Sequence, residues 1–255
     1  MSILEEHIPY ALKQFKIDTI VPIEIFGVDA SLTNVSSAKI ATAIVVVSYL
    51  YYAMRDATLV PRRFQVSAEM IYGLISNTVV GVAGLEAKPA IPFVFTLFTF
   101  VLFGTLIGLT PLHVTFTSHL INTLALSFIV FAYANILGFG RHGFGFLRIL
   151  LPRGVPLFVA PVLVVVEIVS YLFRPITLGF RLFANIFAGH VMLKLFADFC
   201  SMLVTAFGST GVVATIFPLL IMVVLYGFEV MITCIQAYIF VHITSMYLRD
   251  SIHAH

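Results

Sequence analysis

Apolar residues fall into long blocks along this chain, with polar and basic residues gathered between them. The first block is "AKIATAIVVVSYLYYAM", residues 38–54. From Lys88 to Arg141 no charged residue intervenes, far more than the roughly 20 residues needed to cross a hydrocarbon core of about 30 Å. That run must hold two spans, placed at 90–111 and 116–138 and separated by "LTPLHVTFTSH", where Pro111 and polar side chains break the pattern. Two longer blocks follow at about 155–200 and 211–248. A span must satisfy its own backbone polar groups, so each block is read as helix. Residues 1–37 read as an exposed N-terminal arm, "GFGRHGFGFLRILLPRG" as a basic, glycine-rich loop, and 251–255 as a short tail. The segment 65–85 is only mildly amphipathic and predicts a helix lying on the surface. The expected fold is an all-α integral membrane protein: one membrane domain over 38–250, about five transmembrane helices plus a surface amphipathic helix, without internal repeats.

Composition agrees, since 60% of the 255 residues are hydrophobic and 10% charged, which excludes an ordinary soluble domain. The net charge of +2 is dispersed and forms no basic stripe suited to nucleic acid. Cys200 and Cys234 lie in apolar segments and read as buried thiols rather than a disulfide. Glu5 and Glu6 stand where a secretory signal would be basic, so no cleaved signal is expected. Arg55, Arg62, Arg63, Arg141, Arg148, Arg153 and Arg249 fall on one side of the spans, whereas 111–119 and 201–212 hold no Lys or Arg. Basic loops face the cytoplasm or mitochondrial matrix, so five spans put the N-terminus outside and the C-terminus inside.

The last two segments are too long. Roughly 38 residues at 1.5 Å each give a helix of about 57 Å, nearly twice the hydrocarbon thickness. Either the pair tilts far beyond the usual 20° or so, lying along a partner as a hairpin, or it kinks at Pro175 or Pro218. The same segments hold nearly all the charge inside the membrane: Glu167, Arg174, Arg181, Lys194 and Asp198 in one and Glu229 in the other, with His190 and Gln236 besides. A charge at mid-bilayer costs on the order of 3 kcal/mol on insertion scales, so such residues face protein or water and mark an ion or substrate path. Arg174, Lys194 and Asp198 lie near segment ends and have the option of snorkelling; Arg181 and Glu229 do not. Glu167, Arg174 and Arg181 recur every seven residues on one helix stripe, with Asn185 one turn on. At about 10 Å of rise per step, direct pairing along that stripe is not expected. His190, nine residues from Arg181, points almost opposite to it. Guanidinium does not titrate at physiological pH, so Arg181 would hold a carboxylate ionised or repel cations, while His190 and Glu229 are the groups able to carry protons. The plainer readings are an inter-span salt bridge for Arg181 and a satisfied core histidine for His190.

"LGFRLFANIFAGHVML", followed by "FEVMITCIQAYIFVHITSMYLRD", closely resembles the subunit a family of F-type ATP synthases, with the likeness running through most of 20–250. The resemblance implies a proton-translocating stator subunit in which Arg181 faces the carboxylate of a rotating c-ring. It also implies that Asn185 and Gln236 line the same region, that two aqueous half-channels lead protons to and from it, and that the long helices form a tilted pair. Glu167 and Ser170 match further family positions, and Arg174, Lys194, Asp198 and Thr233 are secondary candidates. The family further implies as partners the c-ring, peripheral-stalk b-type subunits, the lipid bilayer and, indirectly, the soluble catalytic head, in a bacterial inner or mitochondrial inner membrane. Many bacterial members carry an acid at the position of His190 and histidine at that of Glu229; the exchanged order resembles the alphaproteobacterial and mitochondrial branch. A secondary transporter is the competing class, but it usually shows paired half-repeats. No H-E-x-x-H, G-x-S-x-G or Walker-type motif occurs. Gly138, Gly140 and Gly143 spell G-x-G-x-x-G after a span rather than a strand, and no cofactor or metal is expected.

Overall fold

The computed structural model describes residues 19–22, 24–25, 28–29, 31–55, 58, 61–110, 115–143, 145–146 and 160–253. Arg148, Arg153 and most of the expected arm lie outside these residues. The described part of the arm holds two short antiparallel strand pairs, β1 (Thr19–Val21) with β4 (Leu32–Thr33) and β2 (Glu24–Ile25) with β3 (Val28–Asp29). The described elements after them are helices: α1 (Asn34–Met54), α2 (Arg63–Ala83), a 3₁₀ turn (Leu85–Ala90), α3 (Ile91–Gly108), a second 3₁₀ turn (Phe116–Ser118), α4 (Leu120–His142), α5 (Ala160–Ala214) and α6 (Ile216–Ile252).

Local chemistry sets several of these bounds. The side chain of Thr33 accepts a hydrogen bond from Ser36 N at 3.2 Å and so starts α1 four residues ahead of the expected span. Serine and threonine inside the spans return their hydroxyls to carbonyls one turn back, as Thr105 Oγ1 does to Val101 O at 2.8 Å and Ser245 Oγ to Val241 O at 2.8 Å. The same device shortens the expected loop at 201–212. Ser201, Thr205 and Thr210 satisfy their hydroxyls on Asp198, Ser201 and Phe207 carbonyls, so these polar residues stay helical. Within that range the chain reverses at Gly208, the only residue inside Ala160–Ala214 with non-helical angles, φ 58° and ψ −129°. Glycine adopts that left-handed φ without a Cβ penalty. Pro175 and Pro218 produce no such break, because Pro175 is carried within α5 and Pro218 sits in the first turn of α6, where its missing N–H costs nothing.

Stretches of 47 and 43 residues on the two sides of that turn, Val162–Gly208 and Thr210–Ile252, form an antiparallel hairpin. Their lengths, about 70 and 65 Å at 1.5 Å per residue, exceed a hydrocarbon core of about 30 Å. Helix α3 is the most enclosed element, and Val94, Phe98 and Val101 join Leu178 and Leu182 of α5 and Phe240, Val241 and Leu248 of α6 in one core. Gly179 brings α5 against α4, where a Cβ would come within 3 Å of Ser127 Oγ and Thr123 O. Small residues at such crossings let helix backbones approach in a membrane.

Six helices are long and apolar enough to cross a membrane, α2 among them. Its surroundings set it apart. Arg141 binds Glu86, His142 Nε2 lies 2.9 Å from Ile252 O, and Gly84 adjoins His253, so the start of α3 and the ends of α4 and α6 share one end of the bundle. Helix α1 runs back alongside α3, with Thr42 beside Gly104 and Phe116 at the other end. Tyr49 Oη then meets Ser67 Oγ at 2.6 Å in the first turns of α2. Helix α2 therefore leads from the return of α1 to the end of the bundle that holds His253. Its buried stripe, Gln65, Ala68, Ile75, Val79 and Ala83, faces the bundle, and Met70 and Leu74 face outward.

Candidate functional site

Helices α5 and α6 present polar side chains to each other in antiparallel register. Asn185 Nδ2 donates to Gln236 Oε1 at 2.8 Å, joining the two residues that sequence reading assigned to one region. One turn further along α5, Gly189 lies against Glu229. A Cβ at Gly189 would come within 3 Å of the Glu229 carboxyl, so only a glycine leaves room for that acid. His190, the next residue, brings Nδ1 to 4.0 Å from Glu229 Oε1, with side-chain exposures of 12% and 6%. Its Nε2 lies 3.0 Å from Thr115 Oγ1 at the end of the α3–α4 connection.

Glu229, Thr233 and Gln236 recur at helical spacing on the buried face of α6, which continues as Phe240 and Thr244. Among the described residues both Glu229 oxygens, Thr233 Oγ1 and Gln236 Nε2 have no hydrogen-bond partner. Leaving such a group unpaired costs roughly 1–3 kcal/mol apiece. Asn185, Gly189, Glu229 and Thr233 line a cleft of about 230 Å³ between the helices, walled otherwise by apolar residues such as Phe228 and Leu193. A narrow apolar cleft with a few aligned polar groups is suited to conducting a small ion or proton rather than holding a large substrate.

Arg181 stands apart from this cleft. It is exposed on α5, flanked by buried Leu178 and Leu182 on the inner face, and among the described residues it makes no hydrogen bond or ion pair. His190 is turned inward to the bundle, as the nine-residue spacing implied. Arg174, one position earlier on the same seven-residue stripe, has the opposite environment. Its Nη1 binds Asp250 Oδ2 at 2.7 Å, Nη2 lies 3.8 Å from Glu167 Oε1, and the guanidinium sits 5.3 Å from the Tyr171 ring centroid. Tyr171 Oη in turn donates to Asn135 Oδ1 at 2.7 Å, and Tyr247 Oη to Arg174 O at 3.0 Å.

The contact between Glu167 and Arg174 corrects the expectation that neighbours on this stripe are too far apart to pair. The rise of about 10 Å separates backbones, but helical side chains lean toward the N-terminus, so Arg174 reaches back to Glu167. Nor does Arg174 need to snorkel, because Asp250 neutralises it. Ser170 and Asp198 are exposed and Lys194 is half-buried one turn beyond His190; none of the three joins the cleft. Cys200 and Cys234 are free thiols, but neither is buried as expected: Cys200 is half-buried and Cys234 is exposed on the outer face of α6. Thr115, Gly189 and Asp250 were missed. A glycine before a titratable residue on a helix was a usable signal for Gly189, and the antiparallel register could have matched Asp250 to Arg174; nothing local marks Thr115.

The family model described as ATP synthase A chain matches residues 36–249. A protein of Acidiphilium cryptum (strain JF-5) named ATP synthase subunit a is 45% identical over 245 residues, covering 96% of this chain and 97% of the relative. The protein of that name from Rhizobium etli (strain CIAT 652) is 45% identical over 240 residues, 94% of this chain and 96% of its own. That of Brucella ovis is 41% identical over 242 residues, 95% and 97% of the two chains. With the motif around Arg181, the long helical hairpin and a match over nearly its whole length, the chain belongs to the ATP synthase A chain family.

Proposed function

We propose that this chain is the proton-translocating stator subunit of an F-type ATP synthase membrane sector and that Arg181 is the residue at which it meets the rotor. It is a channel subunit without catalysis of its own. The observation that carries the assignment of Arg181 is that it makes no hydrogen bond or ion pair among the described residues, in contrast to Arg174 on the same stripe. A guanidinium on the outer face of an apolar helix calls for an anion supplied by another subunit. A carboxylate of the c-ring, passing Arg181, is held ionised by it and gives up its proton. The fixed positive charge also blocks protons from crossing directly between two half-channels. His190 and Glu229 line one half-channel together with Asn185, Thr233 and Gln236, where water satisfies the unpaired atoms of the cleft. Glu167 lies toward the other end of α5 and lines the second half-channel. Peripheral-stalk b-type subunits hold the chain against rotation, and the soluble catalytic head is coupled through the rotor. The chain sits in a bacterial or mitochondrial inner membrane, with its C-terminus on the cytoplasmic or matrix side.

The test uses the assembled complex in sealed vesicles. Arg181→Ala abolishes ATP synthesis and ATP-driven proton pumping, while nucleotide hydrolysis by the detached head is unchanged. Pumping at the unmodified rate by the alanine variant would overturn the assignment.

A further inference from the structure

Thr115 stands immediately before the 3₁₀ turn Phe116–Ser118 and is 75 residues from His190 in sequence, yet its hydroxyl is 3.0 Å from His190 Nε2. The threonine is 5% exposed. The other ring nitrogen faces Glu229 at 4.0 Å. The imidazole is therefore held between two groups from two other elements, and turning the ring over would put Cδ2 and Cε1 where Nδ1 and Nε2 stand and lose both. Space for this arrangement is kept by two glycines. A Cβ at Gly108, the last residue of α3, would come within 3 Å of Thr115 Oγ1, just as one at Gly189 would meet the Glu229 carboxyl. The connector itself is pinned: Ser118 Oγ donates to Thr115 O at 2.6 Å and Asn122 Nδ2 to Phe116 O at 2.9 Å.

We infer that Thr115 is a positioning residue of the proton path, its hydroxyl holding His190 with Nδ1 toward Glu229, so that the turn beginning at Thr115 contributes to the path beside α5 and α6. The inference rests on the reading of His190 and Glu229 as proton-carrying groups given above. A hydroxyl both donates and accepts, so it serves the ring in either neutral tautomer and as imidazolium. The bond made at one ring nitrogen decides what the other offers. Valine has the shape of threonine without the hydroxyl, whereas serine keeps the hydroxyl and loses only a methyl.

The experiment compares Thr115→Val, Thr115→Ser, His190→Ala and the Thr115→Val/His190→Ala pair in the assembled complex, reading ATP-driven pumping in vesicles per assembled complex. Thr115→Val lowers pumping several-fold and Thr115→Ser restores most of it. Valine adds no further loss on top of His190→Ala, because the hydroxyl acts through that ring. If the valine variant assembles poorly, Thr115→Ala, which needs no extra room, carries the same expectation. Full pumping by valine or alanine overturns the inference, as does a loss that adds to that of His190→Ala. Unchanged pumping by His190→Ala removes the relay reading itself, a separate result from failure at Thr115.

Discussion

His190 and Glu229 are close enough for each to govern the other. At that 4.0 Å separation, the proposed relay predicts that the pair exchanges protons as a unit rather than as two sites. Glu229→Gln is expected to slow proton flux by more than the loss of one group, since it also strips His190 of its partner. His190→Glu alone and Glu229→His alone each place two like groups together, and the double exchange recovers more flux than either. Flux through rotor-coupled vesicles for the three variants completes a double-mutant cycle; strictly additive losses would show that the two act separately. Arg181→Lys also fails substantially, measured by the same pumping assay. Lysine keeps a charge but has a compact, strongly hydrated head without the planar fork, and it loses its proton more readily in an apolar setting. Recovery of pumping with lysine would mean that charge alone suffices at this position. The types of these residues were legible because charge in an apolar helix is costly and therefore informative. Their partners were less so: Thr115 and Asp250 are reached only across folded elements, 75 and 76 residues along the chain.

The helices were legible from hydropathy, and their ends were not. The loop expected at 201–212 shrinks to a turn at Gly208, because threonine and serine hydroxyls around it bond the preceding turn and keep their residues helical. Excess length in the last two segments was readable, and it resolves into a hairpin reversed at Gly208, with helical angles kept through Pro175. How α4 meets α5 was invisible in the pattern, because Gly179 looks like any glycine until Ser127 and Thr123 are placed over it. Gly179→Leu is expected to force the two helices apart, with overpacking that costs about 1–3 kcal/mol or more. Less assembled complex should be recovered from membranes, and disulfide trapping between cysteines introduced on α4 and α5 should weaken. Normal yield and unaltered trapping would show that the crossing tolerates bulk.

Basic residues gather at one end of the bundle: Arg55 and Arg62 bracket the α1–α2 connection, and Arg141 and Arg249 close α4 and α6, while the Gly208 turn and residues 115–119 hold no Lys or Arg. In a background lacking Cys200 and Cys234, Thr210→Cys is expected to react with an impermeant thiol reagent from outside and Gly140→Cys only from the cytoplasmic or matrix side. Gly140 has open space for the new side chain. Reversed labelling would invert the half-channels. The unpartnered Arg181 also has a meaning for biogenesis. Before assembly the newly made subunit displays to lipid a charge that costs on the order of 3 kcal/mol, more if deeper in the bilayer. On the function proposed above, contact with the rotor would both complete the motor and cover that charge, leaving an unassembled copy the less comfortable guest of its membrane.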